Sequence, residues 1–258
     1  MLPYIEIAGT TVSVYTLLIL TGFGVGFLLL ALRVRKQKKS LEQALILYIF
    51  AGIGSFLGGR LFAVVQYLPM YFELSAAGQI TFYEYFMQIG LVFFGGFFGC
   101  VLMLLLMCRI LHDDFWEMTD LLIPILPLVQ AFGRVGCFTA GCCYGIESPF
   151  GVMFNASPFA PHDVTLLPVQ LFEAAGTLVL FLILYHRTKN KCAPGRTLGF
   201  YMLFYGILRF VLEFFRGDEV RGHALAFSTS QWISIGVIVL GIYLYGWYAK
   251  KHAKPAIG

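Results

Sequence analysis

The sequence predicts an all-α integral membrane protein with seven transmembrane helices, N-terminus outside and C-terminus cytoplasmic. Three observations lead there. The 258 residues are 59% hydrophobic and 12% charged, where a soluble chain carries about 25% charged residues. Apolar runs of about 20 residues, the length that crosses a hydrocarbon core, recur along the chain. The basic residues are sorted between the connecting segments in the way that sets topology.

The runs fall at 12–32, 42–66, 90–111, 116–135, 168–186, 197–215 and 229–249. The first lacks a basic leader and a small-residue cleavage site, so it reads as a retained helix. Arg33, Arg35, Lys36, Lys38 and Lys39 follow it, and Arg109 separates the third and fourth runs. Arg187, Lys189, Lys191 and Arg196 follow the fifth, and Lys250, Lys251 and Lys254 close the chain. All thirteen share one side when the C-terminus is cytoplasmic. The expected arrangement is a single seven-helix membrane domain, 1–258. Outer loop 67–89 reads as an interfacial segment, with Tyr67, Tyr71, Tyr83 and Tyr85 at headgroup depth. Outer loop 136–167, rich in Gly, Pro and Cys, reads as a small cap. The net charge of +4 resides in the cytoplasmic segments and gives no basis for nucleic acid as a partner.

The remaining five basic residues are all arginine: Arg60, Arg134, Arg209, Arg216 and Arg221. They lie on the outer half, in or beside apolar segments. An ionised guanidinium there costs at least about 2.5–3.5 kcal/mol and is kept beside an anion or a polar cavity. Arginine also holds phosphate through a planar two-point fork that lysine lacks. The pattern points to a phosphate-reading pocket near the outer surface.

Gly133–Gly145 (GRVGCFTAGCCYG) places four glycines around Arg134. These are expected to break the helix next to Arg134 and free backbone N–H groups for an anion. A glycine-rich packing seam is the plainer alternative. Phe56–Phe62 (FLGGRLF) delivers Arg60, and Val92–Gly99 (VFFGGFFG) carries the Gly95–Gly96 pair. Arg209, Glu213 and Arg216 stand at spacings of four and three, so Glu213 reads as a counter-ion. Gln170 and Glu173 open the fifth run, Glu173 as an arginine partner or a ligand contact. Tyr15 reads as a headgroup donor or an interfacial anchor.

Six cysteines divide by place. Cys100, Cys108 and Cys192 read as packing residues or inert thiols. Cys137, Cys142 and Cys143 share the outer 136–167 segment, where small-residue packing, a disulfide and a nucleophilic thiol all remain open. C-x4-C-C without a paired His is a poor zinc pattern, so no metal and no cofactor are expected.

Together these residues resemble the bacterial phosphatidylglycerol–prolipoprotein diacylglyceryl transferases. The likeness rests on Tyr15, Leu57–Arg60, Phe94–Gly99, Gly133–Gly145, Pro168–Glu173 and Tyr205–Arg216, in that order. It implies transfer of diacylglyceryl from phosphatidylglycerol to the lipobox cysteine of a prolipoprotein signal peptide, or to another secreted acceptor. Glycerol phosphate is released. By position, Arg134 and Arg209 take the essential arginine roles. Tyr15, Arg60, Gly95, Gly96, Cys137, Gly141, Gln170, Glu173, Glu213 and Arg216 are expected to contact substrate. The chain departs from the family pattern where Phe94 replaces a histidine, Cys137 and Ala140 replace asparagines, and Leu167 replaces a histidine. Two alternatives follow from those departures: a divergent paralogue with another acceptor, and a non-catalytic lipid-binding membrane protein.

Overall fold

The computed structural model describes residues 3–7, 9–189, 195–217, 223–224 and 227–251. Lys191, Cys192, Arg221 and Lys254 lie outside them. A short hairpin, β1 (Tyr4–Ile7) and β2 (Thr10–Ser13), precedes α1 (Val14–Lys36). Then come α2 (Leu41–Gln66), α3 (Leu68–Ala76), α4 (Phe82–Gln88), α5 (Phe93–Ile110) and α6 (Phe115–Leu122). One 3₁₀ turn (Ile123–Ile125) joins α6 to α7 (Leu126–Ala140). Strands β3 (Glu147–Met153) and β4 (Thr165–Leu166) precede α8 (Val169–Arg187) and α9 (Arg196–Glu213). Strands β5 (His223–Ala224) and β6 (Phe227–Ser228) lead into α10 (Thr229–Ile242), which continues as a π-helical turn over Tyr243–Tyr248.

The protein is therefore mostly helical, and a helix occupies each of the seven apolar runs. Among the described residues, five stretches are long and apolar enough to cross a membrane: Val14–Lys36, Leu41–Gln66, Phe115–Ala140, Val169–Arg187 and Thr229–Tyr248. These make it a multi-pass membrane protein. Phe94–Ile110 is a shorter apolar helix. The backbone groups two compact units, residues 1–33 with 119–258 and residues 34–118.

In the 34–118 unit, α2 and α5 meet along glycines. Gly54 and Gly58 on α2 face Gly99 and Gly95 on α5, each pair spaced by four residues. A Cβ at Gly58 would stand 2.8 Å from the Gly99 Cα. Without a hydrophobic drive between helices in lipid, such close backbone approach supplies the packing. The 67–89 segment forms α3 and α4. Tyr85 is 2% exposed, packs on Ala63 and Ile89, and donates to the Val64 carbonyl at 3.2 Å. Tyr85 thus packs inward from α4, while Tyr83, two residues earlier, faces out at 69% exposure.

A capping box starts α4: the Thr81 hydroxyl accepts from the Glu84 N–H, and the Thr81 N–H donates to the Glu84 carboxylate at 2.8 Å. Those bonds from Thr81 hold the Glu84 carboxyl below its usual range. A depressed folded-state pKa stabilises above the unfolded value and is lost as pH falls through the folded value. Amide-exchange protection at the start of α4 should therefore hold at neutral pH and fall on acidification below 4.5, the ordinary value. Thr81→Ala should remove about 1 kcal/mol at neutral pH. Protection independent of pH would refute the box.

In the other unit Arg33 is not a loop residue but part of α1, 5% exposed. Its guanidinium donates to the carbonyls of Thr188 at 2.7 Å and Asp120 at 3.1 Å, and covers the Tyr185 ring. A cation thus meets the carbonyl end of α8. Segment 141–167 folds around Phe154, Ala160 and Leu166, with Phe138 and Tyr144 against them.

Candidate functional site: buried arginines and a thiol cluster

The expected break beside Arg134 does not occur. Gly133 and Gly136 remain helical and α7 runs on to Ala140. Gly136 is there for packing: a Cβ would stand 2.9 Å from the Tyr15 ring, which closes Tyr15 of α1 onto α7. The break comes at Gly141, whose φ of 73° is the left-handed region that ends helices. Cys137 consequently belongs to the last turn of α7 and not to a loop.

Arg134 projects from α7 to Glu173 on α8, Nη2 to Oε1 at 2.9 Å. The Tyr205 hydroxyl of α9 donates to the same oxygen at 2.9 Å. Glu173 is 1% exposed, and its Oε2 has no hydrogen-bond partner. Of the two roles open to it, the geometry supplies the arginine counter-ion. On α9, Arg209 Nη2 pairs with Glu213 Oε2 at 2.5 Å, both side chains buried. The Ser228 hydroxyl donates to Glu213 Oε1 at 2.9 Å. Arg209 Nη1 is buried with no hydrogen-bond partner.

Glu173 lies within electrostatic reach of Arg134, Arg209 and Arg216, so three helices bring these charges to one place. The chain holds Arg216 there by pairing Gly145 with Arg216, Ile146 N–H to the Phe215 carbonyl at 2.9 Å and Gly217 N–H to the Tyr144 carbonyl at 3.2 Å.

Gln170, 1% exposed, donates from Nε2 to the Cys142 carbonyl at 2.8 Å. It fixes the turn after α7. Gly141 ends that helix, and Ser157 seals the turn by donating to the Ala140 carbonyl at 2.7 Å. Arg60, Gly95 and Gly96 belong to the 34–118 unit. Arg60 donates from Nη1 to the carbonyls of Phe86, at 2.6 Å, and Ile89, at the end of α4. Gly95 and Gly96 face α2, Gly96 with a Cβ position 3.0 Å from the Ser55 carbonyl.

The sulfurs of Cys137, Cys142 and Cys143 all lie within 4.8 Å of one another. No disulfide links the described cysteines. Spacing along the chain argued against a metal group, but the turn at Gly141 folds two thiols back onto the helix that carries the third. Thiol hydrogen bonds from Cys137 and Cys142 hold Cys143 well below the usual thiol range despite burial, and Arg216 and Arg134 act in the same direction. Tyr15 is within electrostatic reach of Arg134 and all three thiols. Sequence reasoning missed Tyr205 and Ser228 as partners of the two glutamates. Tyr205 stood within a quoted motif, and Ser228 gave no signal beyond its place as the N-cap of α10.

The fold is that of a helical membrane protein in which Arg134, Arg209 and Arg216 gather about the buried Glu173. A family profile described as prolipoprotein diacylglyceryl transferase matches residues 3–247. Phosphatidylglycerol–prolipoprotein diacylglyceryl transferase of Clostridium tetani is 35% identical over 246 residues, covering 93% of this chain and 94% of that protein. A protein from Clostridium perfringens, named as the second such transferase, is 37% identical, covering 84% and 82%. One from Nitrosomonas europaea is 32% identical, covering 97% and 91%. The chain belongs to the prolipoprotein diacylglyceryl transferase family.

Proposed function

We propose that this enzyme transfers the diacylglyceryl group of phosphatidylglycerol to the cysteine thiol of a prolipoprotein and releases glycerol phosphate. The observation that carries the reading is the buried Arg209 Nη1, which has no hydrogen-bond partner. Buried donors are nearly always paired, and a lipid phosphodiester supplies the acceptor oxygen. The names of the relatives supply the acceptor.

The acceptor sulfur attacks the glyceryl carbon bonded to phosphate oxygen. The C–S bond forms as the C–O bond breaks, and the electron pair leaves on the phosphate. Charge therefore grows on the phosphate oxygens in the transition state. Arg134 and Arg209, held by Glu173 and Glu213, face that growth already oriented, so little reorganisation is needed at the moment of reaction. Arg216 and Tyr15 complete the phosphate contacts, and Gln170 keeps the adjoining turn in place.

The test is purified protein in nanodiscs with headgroup-labelled phosphatidylglycerol, with and without a lipobox peptide. Release of glycerol phosphate that requires the peptide, with a matching gain of peptide mass, is expected. Release without peptide would indicate a different acceptor, and lipid binding without turnover would indicate a non-catalytic protein.

The same reading places seven spans in the bacterial inner membrane as a single domain, with the N-terminus and the 141–167 cap outside and the C-terminus inside. The thirteen-to-five sorting of basic residues supports it. A C-terminal green fluorescent protein fusion should then fluoresce, while alkaline phosphatase at that point stays inactive. A phosphatase fusion after Phe159 should be active. The reverse pattern overturns both the orientation and the side on which the site opens.

A further inference from the structure

We propose that Cys137, Cys142 and Cys143 form a three-thiolate site for zinc, whose open fourth position takes the acceptor thiol. The site rests on the function proposed above and gives it a means of activating the nucleophile.

The geometry comes first. Three sulfurs within 4.8 Å of one another fit a single zinc ion with only small side-chain adjustment. Zn–S bonds of about 2.3 Å in a tetrahedron set sulfurs roughly 3.8 Å apart. The turn that ends α7 brings the three cysteines together. Gly141 and Cys143 are both left-handed, with φ of 73° and 63°. A non-glycine residue in that region is strained, and such strain collects at functional sites. Three further contacts hold the turn: Cys142 N–H to the Cys137 carbonyl at 3.1 Å, Gln170 to the Cys142 carbonyl at 2.8 Å, and the pairing of Gly145 with Arg216. A packing role for small residues requires none of this convergence.

The chemistry follows from the reaction. The nucleophile is a thiolate, and a free thiol near neutral pH is mostly protonated. Zinc deprotonates a coordinating thiol outright. Catalytic zinc sites characteristically have three protein ligands and one exchangeable position. The acceptor thiol therefore binds zinc as thiolate and releases its proton to water. Its sulfur then attacks the glyceryl carbon, and the C–O electron pair departs on glycerol phosphate. The product is a thioether, a poorer ligand than a thiolate, so it leaves the metal. At the position where the family resemblance expects a histidine, this chain has Phe94, and metal activation requires no such base.

The experiment uses full-length enzyme purified in nanodiscs under reducing conditions. Plasma mass spectrometry should find about one zinc per chain, and cobalt exchange should give sulfur-to-cobalt charge-transfer absorption. Adding the lipobox peptide should shift that spectrum as a fourth sulfur enters. Cys137→Ser, Cys142→Ser and Cys143→Ser should each lose the absorption and bind zinc more weakly, with turnover falling alongside. Full turnover by metal-free wild type overturns the proposal. So do wild-type turnover in the three serine variants, or two of the thiols paired as a disulfide in the active enzyme. Zinc bound through the three thiols with no transfer to the peptide overturns the proposed function and leaves the metal site standing.

Discussion

Arg134→Lys should lose about 10²–10³-fold in turnover, close to the loss in Arg134→Ala, although it keeps the positive charge. Arg134 already directs Nη2 at Glu173. The remaining N–H groups of its planar fork are the ones available to phosphate. A lysine ammonium is a point charge on a flexible stem and cannot hold carboxylate and phosphate in fixed geometry together. Stability separates the two variants where activity does not. Arg134→Ala strips the ion pair from Glu173, which is 1% exposed, and breaking a buried pair costs about 3–5 kcal/mol. Arg134→Lys leaves a cation there and should melt much nearer to wild type. The measurements are kcat/KM for peptide transfer and thermal unfolding in the same nanodiscs. Wild-type turnover in the lysine variant would reduce Arg134 to a structural counter-ion.

That the pair is Arg134 with Glu173 was only half legible in the sequence. Charges in apolar runs mark themselves, because each costs enough in lipid to need a reason. Arg209 with Glu213 could also be read directly, since four residues is one helical turn. Arg134 and Glu173 are 39 residues apart on different helices, and hydropathy shows that a helix crosses without showing which faces meet. The choice between counter-ion and ligand for Glu173 therefore waited for the packing of α7 on α8.

Glycine caused the plainest misreading, because one letter serves opposite purposes. Gly136 stays helical to admit the Tyr15 ring, whereas Gly141, five residues on, ends the helix at positive φ. Only the neighbouring surface distinguishes them. The same ambiguity hid the thiol cluster, which depends on the turn at Gly141 and not on sequence spacing. The inward face of Tyr85 was hidden for a related reason: it follows from the register of α4, a helix too short for periodicity to reveal.

Glu213→Gln isolates the Arg209 half of the proposed phosphate site. It removes the charge that faces Arg209, whose side chain is 4% exposed and whose Nη1 already lacks a partner. The Ser228 hydroxyl still finds an amide oxygen, so the loss is mainly electrostatic. With no lipid bound, the variant should be destabilised by about 3–5 kcal/mol, the cost of leaving a buried cation alone. Phosphatidylglycerol should then do more for the variant than for wild type, because its phosphodiester supplies the missing anion. The rise in melting temperature on adding the lipid should be larger in Glu213→Gln, whereas a zwitterionic lipid should give both proteins the same small rise. Binding linkage makes that difference a direct report on affinity for the folded state. Turnover should nonetheless fall, since a guanidinium no longer held by Glu213 is less well oriented for the leaving phosphate. An equal lipid-induced rise in both proteins would mean that phosphate does not meet Arg209.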